Sequence, residues 1–148
     1  MSYITREEIE DEVGGLDKLI QLTDNTRSGV VDETIVSKAI AWAEGTFDSY
    51  ARTRYSIPVP VTEKVSSFCL DLASYKLKRG RATTSEAIDN LRKSLYDPSI
   101  KFLEALQNGR AALDVPTAEE TATTPGSPDR ILKGSSKPVF TDDRLDNY

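Results

Sequence analysis

The residue types that most often perform chemistry are scarce in this sequence. Its 148 residues include no histidine and a single cysteine, Cys69. The chain therefore cannot form a histidine-based catalytic triad, a histidine zinc site or a cysteine-rich metal site by itself. The 24 aspartates and glutamates could support carboxylate catalysis or a magnesium site, but no spacing among them stands out. We expect no enzymatic activity, no cofactor and no metal. Cys69 falls inside an apolar helical pattern and is predicted to be a core residue.

Basic residues concentrate at one place, in a group formed by Lys76, Lys78, Arg79 and Arg81. The interpretation that we favour is a solvated helix end, where cations offset the helix dipole. The alternative is a small helical DNA-binding or regulatory protein that uses this group within a helix-turn-helix. The net charge of −5 disfavours that alternative, because dedicated DNA-binding proteins are usually basic.

Three further side chains are candidates for a subunit interface. Trp42 could anchor such an interface, since tryptophan is enriched among binding hot spots, or it could fill a broad helix face. Arg52 and Arg54 could bridge to acidic residues at 7–12 of an adjacent subunit. Local surface pairing of these arginines fits the sequence at least as well.

The composition changes near residue 113. Residues 114–148 hold four of the seven prolines and eight serines or threonines. We therefore divide the chain into a helical domain, 1–113, and an extended C-terminal docking arm, 114–148. The arm offers no local core, so its large apolar residues are predicted to dock on a partner. The alternatives are that they fold back onto the domain or that residues 138–141 add a strand to a partner sheet. These residues are Ile131, Leu132, Val139, Phe140, Leu145 and Tyr148.

Local signals place the helices of the first domain. Thr5 and Glu8 have the spacing of a capping box, which predicts a short first helix over residues 5–13. Further apolar turns follow up to about residue 23. Asp32 is the predicted N-cap of the longest helix, which continues to about Tyr55. Apolar residues cover about half of the circumference of this helix, so we expect burial on two sides.

Prolines set the remaining boundaries. Pro58 and Pro60 hold the chain extended and end the longest helix, and Thr62 restarts a helix that we expect to pack antiparallel to it. Helical spacing resumes from residue 85, where Pro98 requires a kink or two successive helices, about 85–96 and 98–108. Asp97 has the position of an N-cap for the second of these. The predicted fold is all-α, a small bundle of four or five helices with an extended C-terminal arm.

The order of several short sequence blocks resembles the family of small Mu-like phage proteins that are grouped with head–tail connector, or head completion, proteins. No single block is specific, but together they span most of the chain. They are Tyr3-Ile4-Thr5, Gln21-Leu22-Thr23-Asp24, Phe47-Asp48-Ser49-Tyr50, Arg54-Tyr55-Ser56-Ile57-Pro58-Val59, Asp71-Leu72-Ala73-Ser74-Tyr75-Lys76-Leu77, Ile100-Lys101-Phe102-Leu103 and Val139-Phe140-Thr141.

The resemblance implies a structural virion protein, an adaptor that forms a homo-oligomeric, dodecameric ring at the portal vertex. Such a ring contacts the portal protein on one side and the next neck or tail component on the other. Its channel passes DNA without reading sequence, and the basic group at 76–81 would then line it. The protein would be made in the host cytoplasm and end in the neck of the virion. The N-terminus lacks the pattern of a secretory signal, and no apolar stretch approaches the roughly 20 residues of a membrane span, so no membrane contact is expected.

Overall fold

The computed structural model describes residues 2–118, and this part of the chain is helical without a strand. A π-helical turn, Arg92–Tyr96, joins the last two α-helices into one continuous stretch, which leaves five helical units. The all-α prediction is confirmed. The α-helices are α1 (Arg6–Val13), α2 (Leu16–Thr23), α3 (Glu33–Ala51), α4 (Glu63–Arg79), α5 (Ser85–Leu91) and α6 (Asp97–Gln107).

The predicted helix starts are confirmed by their caps. The Glu8 N–H donates to Thr5 Oγ1 at 3.3 Å and the Thr5 N–H donates to Glu8 Oε2 at 2.6 Å, which is the reciprocal capping box. The side chain of Asp32 accepts from two backbone N–H groups of α3, and that of Thr62 accepts from the Val65 N–H. Each cap satisfies amides that the first helical turn leaves without a partner.

The longest helix ends earlier than predicted, at Ala51 rather than near Tyr55. The Arg54 and Tyr55 N–H groups both donate to the Ala51 carbonyl, so the chain closes in a tight turn there. This turn carries the Tyr55 ring into the core, where it is 3% exposed. The free energy gained by burying this aromatic ring is larger than the gain from one more helical turn of solvent-exposed residues.

The helices α3 and α4 form the centre of the fold and run antiparallel. Cys69 of α4 lies close to the carboxylates of Glu44 and Asp48, whereas Trp42, nearer the start of α3, contacts Tyr75, nearer the end of α4. The core between and around these helices is apolar, and Cys69 is fully buried in it, as predicted. Its largest fully buried side chains include Phe47, Ile4, Ile9, Leu19, Leu72, Leu103 and Leu106.

Tyr3 joins the start of the chain to three later segments. Its hydroxyl donates to Asp48 Oδ1 at 2.6 Å and accepts from the Val59 N–H at 3.0 Å, while its carbonyl accepts from Ser66 Oγ at 2.9 Å. Its ring meets Phe47 edge-on, with 5.4 Å between the centroids. One buried tyrosine thus fixes α3, the loop before α4 and the first turn of α4 relative to one another.

The chain passes Pro98 through the π-helical turn rather than through a break. The Asp97 N–H donates to the Arg92 carbonyl five residues earlier, and Asp97 itself has helical backbone angles. The prediction that Asp97 caps a new helix is therefore wrong. Its carboxylate instead pairs with Arg92 Nε at 3.2 Å. The wider turn shifts the hydrogen-bond register where proline lacks an N–H, so the helix continues.

None of the helices between residues 2 and 118 has the length and apolar character needed to cross a bilayer.

Candidate assembly surfaces

The outward side of α3 and its C-cap forms a face that we call the outer face of α3, bordered by the half-buried carboxylates of Glu44 and Asp48, which bond Tyr3. Its exposed residues between 35 and 52 are small or cationic. A Cβ built on Gly45, in the middle of this face, would meet no atom within 4 Å. The exposed side chains of this face are therefore short except for the two cations, and they form a shallow, positively charged surface. The members of the face are Ser37, Lys38, Ala41, Gly45, Ser49 and Arg52.

Trp42 borders this face and is half-buried in an aromatic cluster. Its ring stacks near Tyr96 of the π-helical turn, with 6.5 Å between centroids and 21° between planes, and lies 6.5 Å from Tyr75. Lys76 Nζ lies 5.0 Å from the Trp42 ring centroid, a cation–π contact. Trp42 thus fills space inside the subunit and also meets solvent beside the outer face of α3.

The structure does not bring the four predicted basic residues together in one patch. Arg81 donates to the carbonyls of Leu22 and Asp24 at the end of α2, where a cation compensates the negative end of the helix dipole. Lys76 covers Trp42, and Lys78 lies near the carboxylate of Asp71. Arg79 is exposed in the last turn of α4.

Arg52 and Arg54 have different surroundings. Arg52 is exposed, and its Nε donates to the Asp48 carbonyl of its own helix at 3.4 Å. The Arg54 guanidinium lies against Gly109, where an added Cβ would come within 2.9 Å of Nη1. Among residues 2–118 neither arginine belongs to an ion pair. The acids at 7–12 of the same chain are thus not their partners.

The segment after α6 returns to the end of α3, a contact that no pattern in the sequence predicts. The Leu113 N–H donates to Tyr55 Oη at 2.9 Å, and the Ala118 N–H donates to the Arg54 carbonyl at 2.9 Å. Leu113 is 5% exposed. The beginning of the predicted arm is therefore fixed to the domain as far as residue 118. The predicted docking residues Ile131, Leu132, Val139, Phe140, Leu145 and Tyr148 lie outside the described residues.

An acidic groove runs between α1 and α4. Its lining includes Glu8 and Glu12 of α1, and Glu63, Leu70 and Asp71 of α4. Burial and the nearby Glu12 charge raise the pKa of Asp71, and Lys78 lowers it in part. Negative charge therefore accumulates along this side of the subunit. In the described part of the chain no group of acidic or cysteine side chains is arranged to hold a metal ion.

The described part of the chain is a small all-α domain. It exposes several helix faces, and its C-terminal segment is held against the domain as far as residue 118. A family model described as Bacteriophage Mu, Gp36 matches residues 3–130. Since the match covers most of the chain, the protein belongs to this family and is a phage protein. The resemblance to Mu-like phage proteins found in the sequence is confirmed.

One curated relative supports the same assignment. The Mu-like prophage FluMu protein gp36 of Haemophilus influenzae (strain ATCC 51907 / DSM 11121 / KW20 / Rd) is 34% identical over 92 residues. The aligned region covers 62% of this chain and 61% of the relative, so the similarity spans less than two thirds of that protein. No solved structure matches the chain.

Proposed function

We propose that this protein is a head–tail connector, an adaptor that forms a ring at the portal vertex and joins the capsid to the tail. The observation that carries the proposal is the family match over residues 3–130. The resemblance of the sequence blocks to Mu-like proteins that are grouped with head completion proteins implies the connector role. The proposed partners are further copies of the chain, the portal protein and the next neck or tail component. DNA passes the ring without sequence-specific contacts, and no catalysis or cofactor is part of the proposal.

Two features of the domain support an assembly role. The outer face of α3 carries cations and small residues that are exposed, and no other element of the described chain packs on them. The C-terminal segment is held against the domain as far as Ala118, whose N–H donates to the Arg54 carbonyl. A ring contact and an arm contact can therefore be made by separate parts of one subunit.

The mechanism is cooperative assembly. Ordering a segment on a partner costs about 1–2 kcal/mol per backbone residue, which weakens the binding of a single arm. When several subunits are held in one ring, each further arm binds at a high effective concentration. Free subunits thus associate only weakly with one another until a portal ring offers repeated sites.

The DNA-binding alternative receives no support from the positions of the basic residues. Lys76, Lys78 and Arg81 are directed to three different intrachain partners rather than to one common surface. A phosphate backbone is bound by several cations that face it together. We therefore do not propose sequence recognition of DNA.

Co-sedimentation with portal-containing, tail-less capsids tests the proposal. The full-length chain should bind saturably, in a multiple that matches the portal symmetry. A chain that ends at residue 118 keeps the Leu113 and Ala118 contacts and should remain folded but bind poorly. The full-length variant Val139→Ser/Phe140→Ser is the matched control, because it changes two predicted anchors without shortening the chain. No binding by the full-length protein would refute the connector function.

A further inference from the structure

The outer face of α3 contains a residue that the fold of the subunit does not explain. Gly45 lies in the middle of a helix that spans Glu33–Ala51, where glycine is disfavoured because it gains the most freedom on unfolding. Its backbone is helical, and a Cβ there would meet nothing within 4 Å. Neither a turn nor packing within the subunit therefore requires glycine. Close approach of a second chain would require it, because the side chains at a helix contact set the distance between the helix axes.

The neighbours of Gly45 define the charge that such a second chain must carry. Lys38 and Arg52 lie at the two ends of the outer face of α3, seven residues from Gly45 in each direction. Residues spaced by seven return to the same side of a helix. Lys76, held over the ring of Trp42, adds a third cation at the border of the face. The complementary surface is therefore acidic and slender.

The chain itself carries a surface of this description on α1. Four carboxylates of this eight-residue helix are exposed, namely Glu7, Glu8, Asp11 and Glu12. Glu63 and Asp71 extend the negative charge along the groove beside it. Among residues 2–118, Arg6 is the one cation that forms an ion pair with a carboxylate of α1. It bonds Glu10 of α1 and Glu33 of α3. The acidic side of α1 thus retains most of its charge in the isolated subunit.

The geometry points to a head-to-tail contact in which α1 of one copy lies across the outer face of α3 of the next copy, at Gly45 and between Lys38 and Arg52. This inference rests on the proposed ring and specifies its interface. When two copies form this contact once, each keeps an unused α1 or an unused outer face of α3, and repeated addition closes a ring where the rotation between copies permits it. Charge complementarity would also orient the subunits as they meet.

Charge reversal tests the contact in the full-length protein. The variants Lys38→Glu/Arg52→Glu and Glu7→Lys/Asp11→Lys should each weaken association at least about tenfold, and their combination in one chain should restore most of it. Glu8 is left unchanged because it belongs to the capping box of α1. Lys101→Glu, an exposed change on α6, is the control for net charge. The readouts are oligomer size in solution and the number of copies bound per tail-less capsid.

A size variant tests the close approach independently of charge. Gly45→Leu should leave the subunit folded, as judged by its far-UV circular dichroism and thermal unfolding, yet abolish assembly in both readouts. If the unmodified chain assembles on capsids while these reversals and Gly45→Leu leave its assembly unchanged, the interface is wrong and the connector function stands. A closed two-fold dimer would overturn the head-to-tail arrangement of the contact. If the unmodified chain neither self-associates nor binds capsids, both proposals fail.

Discussion

Tyr55 and Leu113 are joined by a buried hydrogen bond in which the Leu113 N–H donates to Tyr55 Oη at 2.9 Å. The two residues are 3% and 5% exposed, so water cannot replace either partner. The bond fixes the segment after α6 to the end of α3. Together with the Ala118–Arg54 bond and the packing of Leu113 and Val115 on the core, it holds the start of the C-terminal arm.

Tyr55→Phe should destabilise the domain by about 1–3 kcal/mol, because the buried Leu113 N–H loses its acceptor. Chemical denaturation followed by circular dichroism measures the change. Tyr50→Phe is the matched control, since Tyr50 is half-buried and should tolerate the loss of its hydroxyl. Equal stability of the two variants would show that the Tyr55 bond contributes nothing.

The loop after α2 should lose stability in acid. The Asp24 carboxylate accepts from the N–H groups of Ser28 and Gly29, and these bonds lower its pKa from 3.8 to about 2. A lowered folded-state pKa stabilises the fold above the unfolded value, and this contribution disappears as the pH falls from about 4 towards 2. The stability difference between the parent chain and Asp24→Ala should therefore shrink over that window. A difference that is constant between pH 6 and pH 2 would contradict the assignment.

Cys69 should be unreactive in the folded protein. Burial, with smaller contributions from the Glu44 and Asp48 charges, raises the pKa of its thiol to about 12. Thiolates rather than thiols react with disulfide reagents, and here the thiolate is both rare and inaccessible. Labelling with Ellman's reagent at pH 8 should be negligible in buffer and stoichiometric in guanidinium chloride. Rapid labelling of the native chain would mean that α3 and α4 separate easily.

Gly45→Ala should stabilise the isolated subunit by about 0.5–1 kcal/mol, because alanine loses less conformational entropy than glycine in a helix. The added methyl group has open space around it. Thermal unfolding of the subunit at high salt measures the effect without interference from association. A destabilised subunit would show that Gly45 serves the fold itself, and the interpretation of the outer face of α3 would lose its main support.

The helix starts could be predicted because each depends on residues close together in sequence. Thr5, Asp32 and Thr62 each supply a side-chain oxygen to amides two or three positions later, and Glu8 returns the contact to the Thr5 amide. All the residues that form such a cap lie within one helical turn of the sequence, so a local pattern is enough to predict it. Pro98 indicates an interruption of the helix, but no comparable residue pattern specifies that the interruption takes the form of a π-helical turn.

The candidate surfaces were harder to predict because they depend on contacts between distant residues. Lys76 and Lys78 are two positions apart but point to different sides of α4, and Arg81 lies beyond the helix end. The interaction of Tyr55 with Leu113 joins residues 58 positions apart. Nothing in the local sequence of either residue indicates the other.

The hydrogen bond between the Ala118 N–H and the Arg54 carbonyl determines where a force on the C-terminal arm acts on the domain. Tension on the chain beyond residue 118 first reaches the Arg54 carbonyl, then the Leu113 N–H on Tyr55, and so enters the end of the 19-residue α3. The apolar packing of α3 on α4, the largest helix contact in the domain, bears the force only after these bonds have broken. A pull on the arm would therefore break the bonds of Ala118 and Leu113 and withdraw the Leu113 side chain before it reached the packing of α3 on α4, so residues 110–118 would yield first.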